Sequence, residues 1–220
     1  MKRRGFTLAE VLLTLTIIGV VATLTIPAII TKVTKDQYVV GLRKAYNTLK
    51  AVEEEAIQEH GPMENWDWSG DVATTFETYF KSYFEIIKDC GITTDNGCFN
   101  TKRTYLDGSA WTMDFNTDSY YRIITSDGTA FMYTKQANPL PGRQGRFYVD
   151  VNGLKGPNRV GRDMFSFNVF PSKLGIKPRG AYVNITGEAI ASSDVEASCK
   201  AGGEGTYCAA KVLAEGAMNY

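Results

Sequence analysis

Four oxygen-bearing side chains lie close together within residues 150–163, which read DVNGLKGPNRVGRD: Asp150, Asn152, Asn158 and Asp163. Hard cations such as Ca²⁺ bind about six to eight oxygens from carboxylates, amides and main-chain carbonyls. The Asp-x-Asn-Gly start matches the opening of calcium loops, but the acidic residue that ends an EF-hand loop is missing. Two interpretations stay open, a calcium site with these four ligands or a tight loop in which Asn-Gly and Pro-Asn supply turns.

Four cysteines form two close pairs in the sequence, Cys90 with Cys98 and Cys199 with Cys208. Four cysteines allow three connectivities, and sequence alone does not choose among them. Local pairing is the simplest, because closing a short loop costs the least chain entropy. Zinc binding is disfavoured by the spacing and by the single histidine, and buried free thiols are the other alternative. We expect disulfides, which imply an oxidising compartment.

The sequence offers no convincing catalytic constellation. His60 has no evident Ser or Cys partner, and the phosphate-binding patterns GxGxxG and P-loop do not occur. With 24 Lys plus Arg and 24 Asp plus Glu, the formal net charge is zero, so the chain has no general attraction for nucleic acid. We therefore expect a protein that is not an enzyme. An enzymatic head on a membrane helix is the disfavoured alternative.

The N-terminal segment is apolar over residues 6–30 and follows three basic residues at positions 2–4. About 20 apolar residues are enough for a helix to span a bilayer, and the basic flank orients the N-terminus toward the cytoplasm. A secretory signal peptide is the alternative. The apolar stretch is too long for one, lacks a clear small-x-small cleavage site, and contains a carboxylate, Glu10.

These residues resemble the N-terminus of the type IV pilin superfamily, which includes type IV pilins, type II secretion pseudopilins and competence pseudopilins. The resemblance lies in KRRGFTLAE and the apolar run after it: a short basic leader, glycine before phenylalanine, and a carboxylate four residues later. It implies that a prepilin peptidase cleaves between Gly5 and Phe6 and then methylates the new amino terminus of Phe6. The family's carboxylate falls on Glu10 and its helix-kinking proline on Pro27. Ala9 departs mildly, because many members have a bulkier or hydroxylated residue there.

The resemblance implies a structural protein that polymerises through its N-terminal helix. The expected precursor is a single-pass protein of the inner (cytoplasmic) membrane. Prepilin peptidase and an inner-membrane assembly machinery are its expected partners, together with further copies of the chain or other pilins in a periplasmic or extracellular filament. In the helix bundle, the amine of Phe6 and a neighbour's Glu10 would neutralise each other, since a buried unpaired charge costs far more than a pair.

The motif leaves the type of filament open among a type IV pilus, a type II secretion pseudopilus and a DNA-uptake filament. The alternative from another class is a membrane-anchored extracytoplasmic binding module that does not polymerise. Major pseudopilins of the family hold Ca²⁺ in a loop of the head. This agrees with the calcium interpretation of residues 150–163, although their ligands do not map onto this chain one by one.

The helical pattern continues beyond the apolar segment to the end of residues 6–60. Apolar residues recur there at spacings of three and four and form one stripe: Val39, Leu42, Ala45, Tyr46, Leu49, Val52, Ala56 and Ile57. Charged residues occupy the other faces: Arg43, Lys44, Lys50, Glu53 and Glu54. Gly61 and Pro62 predict the end of the helix. A coiled coil would need about four heptads, so packing of the stripe against the chain's own sheet is favoured.

Residues 61–220 are predicted to form a globular α+β head. A second amphipathic helix is expected from Asp71 to about Lys88, capped by Ser69 or Asp71, with an apolar face of Phe76, Tyr79, Phe80, Tyr83, Phe84 and Ile87. Strands are expected at residues 104–106, 110–115, 120–125, 129–133, 146–151 and 164–169, with Asp-Gly turns at 107–108 and 127–128. Residues 171–220 allow no assignment. With the leader at residues 1–5, the predicted chain is a long transmembrane and amphipathic helix packed on an antiparallel sheet, the plan of pilins.

Overall fold

The computed structural model describes residues 5, 7–93, 97–100, 102–111, 117–135, 143–181 and 192–220. Its helices are α1 (Leu8–His60), α2 (Val72–Tyr79), α3 (Ser192–Ser198) and α4 (Cys208–Glu215), with 3₁₀ turns at Met63–Asn65 and Lys81–Tyr83. Its strands are β1 (Ile86–Gly91), β2 (Tyr121–Thr125), β3 (Ala130–Thr134), β4 (Gly145–Asp150), β5 (Met164–Phe170) and β6 (Gly175–Pro178). The predicted α+β class, a long N-terminal helix followed by an antiparallel sheet, is confirmed.

By packing, the chain divides into two compact units, Met1–Gln37 and Tyr38–Tyr220. The first contains the apolar part of α1, which is long and apolar enough to cross a membrane by length and composition, and whose side chains are exposed. Six threonine hydroxyls in this part donate to carbonyls three or four residues earlier: those of Thr14, Thr16, Thr23, Thr25, Thr31 and Thr34. These bonds satisfy the hydroxyls inside the helix, so the threonines are compatible with an apolar solvent.

The second unit begins with the amphipathic part of α1, whose apolar stripe is buried as predicted. Val39, Leu42, Ala45, Leu49, Val52 and Ala56 are each at most 4 % exposed, and Tyr46 and Ile57 pack against them. The helix ends where the sequence predicts. Gly61 adopts a positive φ of 76°, and its N–H donates to the carbonyl of Ile57 at 2.9 Å.

The six strands form one antiparallel sheet in the order of the sequence, β1 to β6. Asp127 and Gly128 close the β2–β3 hairpin as predicted, because Gly128 accepts the positive φ of 83° that the turn needs. One face packs on α1, with Tyr46 stacked on Phe167 at 5.6 Å between ring centroids. The opposite face holds a smaller cluster: Phe99, Ala130, Met132, Tyr148 and Met164.

The two edge strands are irregular or short. Strand β1 pairs with β2 through two register shifts, between Ile86 and Lys88 and between Asp89 and Gly91. Strand β6 has four residues, and the next carbonyl, that of Arg179, accepts a hydrogen bond from the backbone N–H of Ala210 in α4 at 3.2 Å.

The predicted helix from Asp71 to Lys88 is wrong in its second half. Its start is right, since Asp71 caps α2 by accepting from the Thr74 N–H at 2.7 Å. The α-helix ends at Tyr79, because Phe80 has a φ of −131°, and a 3₁₀ turn then leads into β1. Ile87, assigned to the apolar helix face, is 66 % exposed.

One predicted strand is not a strand: within residues 104–106, Thr104 forms only isolated bridges, with Ala110 and with Arg159. Residues 112–115 of the strand predicted at 110–115 lie outside the described part of the chain, so that strand stays a prediction. Strands β1 and β6 were not predicted, nor were α3 and α4 in the unassigned C-terminal region. Four strands, β2 to β5, match their predictions to within one residue.

Candidate assembly site and candidate cation site

The start of α1 is fixed by a reciprocal pair of hydrogen bonds between Thr7 and Glu10. Thr7 donates from its N–H and from Oγ1 to Glu10 Oε2, at 2.8 and 2.9 Å. The Glu10 N–H donates to Thr7 Oγ1 at 3.2 Å. This is a capping box, in which the side chains of a threonine at the helix start and of a glutamate three residues later each accept a hydrogen bond from the other residue's backbone N–H. The signal was present in the sequence as Thr-x-x-Glu and was missed.

The capping box determines where the Glu10 carboxylate lies. Both bonds from Thr7 end on Oε2, and no described residue donates to Oε1. The side chain is exposed and bends back to the first turn of the helix, next to the expected cleavage point. Gly5 is exposed, while Phe6 and residues 1–4 lie outside the described residues. The expected cleavage and methylation therefore remain predictions.

Pro27 lies inside α1, and its carbonyl accepts from Thr31 Oγ1 at 2.9 Å. Around it, the helix exposes large apolar side chains along the whole segment: Leu8, Val11, Leu12, Leu13, Leu15, Ile17, Ile18, Val20, Val21, Leu24, Ile26, Ile29, Ile30 and Val33. An apolar surface of this size needs lipid or other helices around it.

The predicted oxygen ligands are brought to one loop by the β4–β5 hairpin. Asp150 is the last residue of β4 and pairs with Met164, the first residue of β5. Asp163 precedes Met164, and its carbonyl accepts from the Val151 N–H at 2.9 Å, so the two aspartates lie at the base of the loop. The Asp163 carboxylate accepts from the N–H groups of Asn158 and Arg159 at 2.8 and 2.7 Å.

Burial makes the two carboxylates of this loop electrostatically unusual. Asp150 is 1 % and Asp163 0 % exposed. Burial, and secondarily the charge of Asp163, raises the pKa of Asp150 to about 9. Burial also raises the pKa of Asp163, against the opposing effect of its bonds from the Arg159 and Asn158 N–H groups. The positive charge of Arg103 lowers the pKa of Asp150, but this effect is smaller than those of burial and of Asp163.

Three oxygen atoms of this loop are buried and have no hydrogen-bond partner: Asp150 Oδ2, Asn152 Oδ1 and Asn158 Oδ1. Asn152 Nδ2 donates to the Gly156 carbonyl at 3.0 Å, which leaves its Oδ1 as the free acceptor. Buried acceptors without donors are costly, and a bound cation would compensate them. The candidate ligands include only two carboxylates. The described residues contain no group of three or more His, Cys, Asp and Glu side chains that could hold a metal.

One carboxylate that the sequence placed on a charged face is in fact buried. Glu53 in α1 is 6 % exposed; its Oε2 accepts from the Ile176 N–H in β6 at 2.9 Å and from Lys50 Nζ at 2.7 Å. The close approach needs glycine at position 175, because a Cβ there would overlap Glu53 Oε1. No local sequence signal marks this contact, since its partner is a backbone group far along the chain.

Both local cysteine pairs are disulfides in the structure. Cys90 joins Cys98 with a Cα–Cα distance of 6.2 Å, and Cys199 joins Cys208 at 5.3 Å. His60 contacts aromatic rings edge-on, the nearest being Tyr79 at 5.2 Å between centroids. These contacts make His60 part of an aromatic cluster at the end of α1.

Residues 1–26 match the family model of the prokaryotic N-terminal methylation motif. No curated protein and no solved structure gives a match to the chain. The motif supports a type IV pilin-like or pseudopilin-like precursor that prepilin peptidase processes, and it characterises structural rather than catalytic proteins. Together with the apolar helix near the N-terminus, it indicates membrane anchoring.

Proposed function

We propose that this chain is the structural subunit of a type IV pilus or a type II secretion pseudopilus. Prepilin peptidase cleaves between Gly5 and Phe6 and methylates Phe6, and the mature chains polymerise through α1. The observation behind this proposal is the methylation motif at residues 1–26, placed directly on an exposed apolar helix. The subunit resides in the inner membrane before assembly and in a periplasmic or extracellular filament afterwards.

Glu10 is the proposed assembly residue. Its Oε2 is used by the capping box, whereas no described residue donates to Oε1, which can accept from the methylated amine of a neighbouring subunit. Within a bundle of apolar helices, such a pair neutralises two charges that would be costly alone, and so sets the stagger between subunits. Pro27 is the second proposed assembly residue, because a helix opens or bends most readily where an N–H is missing.

The two roles of Glu10 can be separated by matched substitutions. Glu10→Gln keeps a capping side chain but removes the charge, whereas Thr7→Ala removes the cap and keeps the charge. We expect both variants to be processed to a chain that begins at Phe6, as shown by intact mass. We expect Glu10→Gln to lose filaments in a shearing assay, and Thr7→Ala to keep most of them.

Normal filaments from Glu10→Gln would contradict the proposed ion pair. A wild-type chain that keeps residues 1–5 would contradict the filament proposal as a whole. Cysteines introduced along residues 8–30 give a further test, since helices in a filament crosslink in a ladder. A processed, membrane-bound chain without such crosslinks would favour the alternative, an anchored binding module that does not polymerise.

We also propose that the loop of residues 150–163 binds Ca²⁺. Asp150, Asn152, Asn158 and Asp163 would hold the ion, and the support is the three buried acceptors without donors beside two buried carboxylates. A divalent cation offsets the repulsion between these carboxylates and closes the base of the β4–β5 hairpin. Its expected role is structural, stiffening the head.

The calcium proposal is tested by thermal unfolding of the full-length protein in detergent, with Ca²⁺ or with EGTA. We expect Ca²⁺ to raise the Tm of the wild type, and Mg²⁺ to do so less, because Mg²⁺ gives up its water reluctantly. Asp150→Asn should abolish the shift, while Asp107→Asn, in an exposed turn, should keep it. An unchanged wild-type Tm, or an equal Tm shift in Asp150→Asn, would contradict the calcium proposal.

A further inference from the structure

Three arginines, Arg143, Arg146 and Arg179, lie near one another on the face of the sheet that is turned away from α1. Arg146 in β4 is in register with Asn168 in β5, and Arg179 follows β6 and donates its N–H to the Ser166 carbonyl at 2.9 Å. Arg143 precedes β4. Arg143 and Arg146 are only 7 % and 6 % exposed.

The polar contacts found for these arginines are with neutral groups. Arg146 Nε donates to Asn168 Oδ1 at 3.2 Å, and Nη1 donates to the Tyr148 hydroxyl at 3.1 Å. The guanidinium of Arg179 lies over the Tyr207 ring, 5.1 Å from its centroid. Arg143 Nε is buried without a hydrogen-bond partner. Every ion pair within 4.0 Å among the described residues uses a lysine, so none of the three arginines pairs with a described carboxylate.

The positive charges of the three arginines therefore repel one another in a poorly solvated part of the protein. Burial, and then the charges of Arg146 and Arg179, lowers the pKa of Arg143 to about 10. Burial, and then Arg146, lowers the pKa of Arg179 as well. Arginine does not escape this cost by losing its proton at neutral pH, as a buried lysine can. Buried charges of one sign need an opposite charge beside them.

The burial decides what kind of anion fits. A nucleic-acid backbone or an acidic protein surface cannot reach the guanidinium groups of Arg143 and Arg146, which are more than nine-tenths buried, and Arg179 is itself half-buried. A cavity of about 10 Å³ lies beside the cluster, close to the volume that one water molecule needs. Donors on its wall are Arg179 and the hydroxyl groups of Tyr148, Ser166 and Thr206, and apolar residues complete the lining.

We propose that this cavity binds one small inorganic anion of chloride size, held by Arg179 and the surrounding hydroxyl groups and stabilised by the charges of Arg143 and Arg146. The anion compensates the arginine cluster, and the apolar part of the lining strengthens the attraction by excluding water. A tetrahedral oxyanion such as phosphate or sulfate is too large for a cavity of this volume.

The test is thermal unfolding of the full-length protein in detergent at constant ionic strength, with gluconate exchanged for chloride, bromide, sulfate or phosphate. We expect chloride and bromide to raise the Tm in a saturable way, by about 3–5 °C at ten times the Kd, and sulfate and phosphate to have no such effect. Arg179→Gln should lose the chloride shift. Lys177→Gln is the control that should keep it, since Lys177 lies on the same face in register with Asn168 but is only half-buried.

A wild-type Tm that is the same in chloride and gluconate would overturn the proposal, as would an undiminished shift in Arg179→Gln. Stabilisation by sulfate rather than chloride would overturn the size argument. If Arg179→Gln does not fold, wild-type crystals soaked in bromide decide the matter. An anomalous peak in the cavity supports the site, and a cavity without one refutes it.

Discussion

Removing the Glu53 side chain should loosen the contact between α1 and the end of the sheet. In Glu53→Ala the N–H of Ile176, a residue that is 0 % exposed, loses its acceptor. A hydrogen bond to a charged group is worth about 1.5–3 kcal/mol, and the lost ion pair with the part-exposed Lys50 adds less than about 1 kcal/mol. We expect the free energy of unfolding to fall by about 2–3 kcal/mol and the Tm by roughly 5–10 °C.

The contact with Gly175 makes this expectation sharper. Gly175→Ala should displace Glu53, since the new Cβ would overlap Oε1, and should also strain a residue whose φ is +63°. In the Glu53→Ala background only the strain remains. The double variant should therefore lose about 2 kcal/mol less than the sum of the two single losses.

The assay is urea unfolding of the full-length protein in detergent, followed by tryptophan fluorescence. Glu53→Gln is the matched control, because its amide oxygen can still accept from Ile176, and it should cost at most half as much as Glu53→Ala. Additive single losses would refute the proposed contact. So would a Glu53→Ala variant within about 0.5 kcal/mol of the wild type, which is the range of ordinary surface substitutions.

Three further predictions concern other parts of the head. Without reductant, the denatured protein should show no reactive thiol, and Cys199→Ser should expose one and destabilise the fold by about 2–3 kcal/mol, as thiol titration and urea unfolding would show. Phe147→Ala should cost about 3–5 kcal/mol in unfolding free energy and Phe147→Leu much less, because the ring is fully buried. Burial raises the pKa of Asp89, but bonds from Lys81 and from the Gly91 N–H outweigh it, and the net pKa is lowered. That stabilisation is present above about pH 4 and is lost as the pH falls through the folded-state pKa. In Asp89→Asn, the free energy of unfolding should therefore fall less on acidification than in the wild type, by a difference of less than about 1 kcal/mol.

Long periodic patterns in the sequence predicted much of the fold. The stripe from Val39 to Ile57 repeats often enough to define a helix face, and Gly61 marks its end with a local conformational requirement. The Asp127-Gly128 turn likewise fixes the β2–β3 hairpin locally. By contrast, the aromatic residues from Phe76 to Phe84 have helical spacing, yet the chain leaves the helix at Phe80. Their packing against the sheet, not their spacing, decides the local structure.

The candidate sites divide in the same way. The cleavage motif and Glu10 were visible because neighbouring residues in the sequence define them, and the capping box could have been found from the same residues. The four candidate oxygen ligands were predicted as a set from one loop, and their role as ligands stays a prediction; only the β4–β5 pairing shows which of their oxygens are buried without donors. Glu53 and the arginine cluster depend on contacts between distant parts of the chain, so no local pattern could indicate them.

The irregular edges of the sheet have a consequence for how copies of this chain can meet. A regular edge strand offers unpaired backbone groups to any neighbouring strand, and a concentrated array of subunits would fuse through such edges. Here β1 is bulged and exposes Lys88 and Asp89, while the Cys90–Cys98 disulfide ties its end to the following segment. At the other edge, β6 is four residues long and α4 takes up the next carbonyl. Both edges of the sheet are thus poor templates for strand pairing, so the head is protected against amyloid-like stacking between copies of the chain.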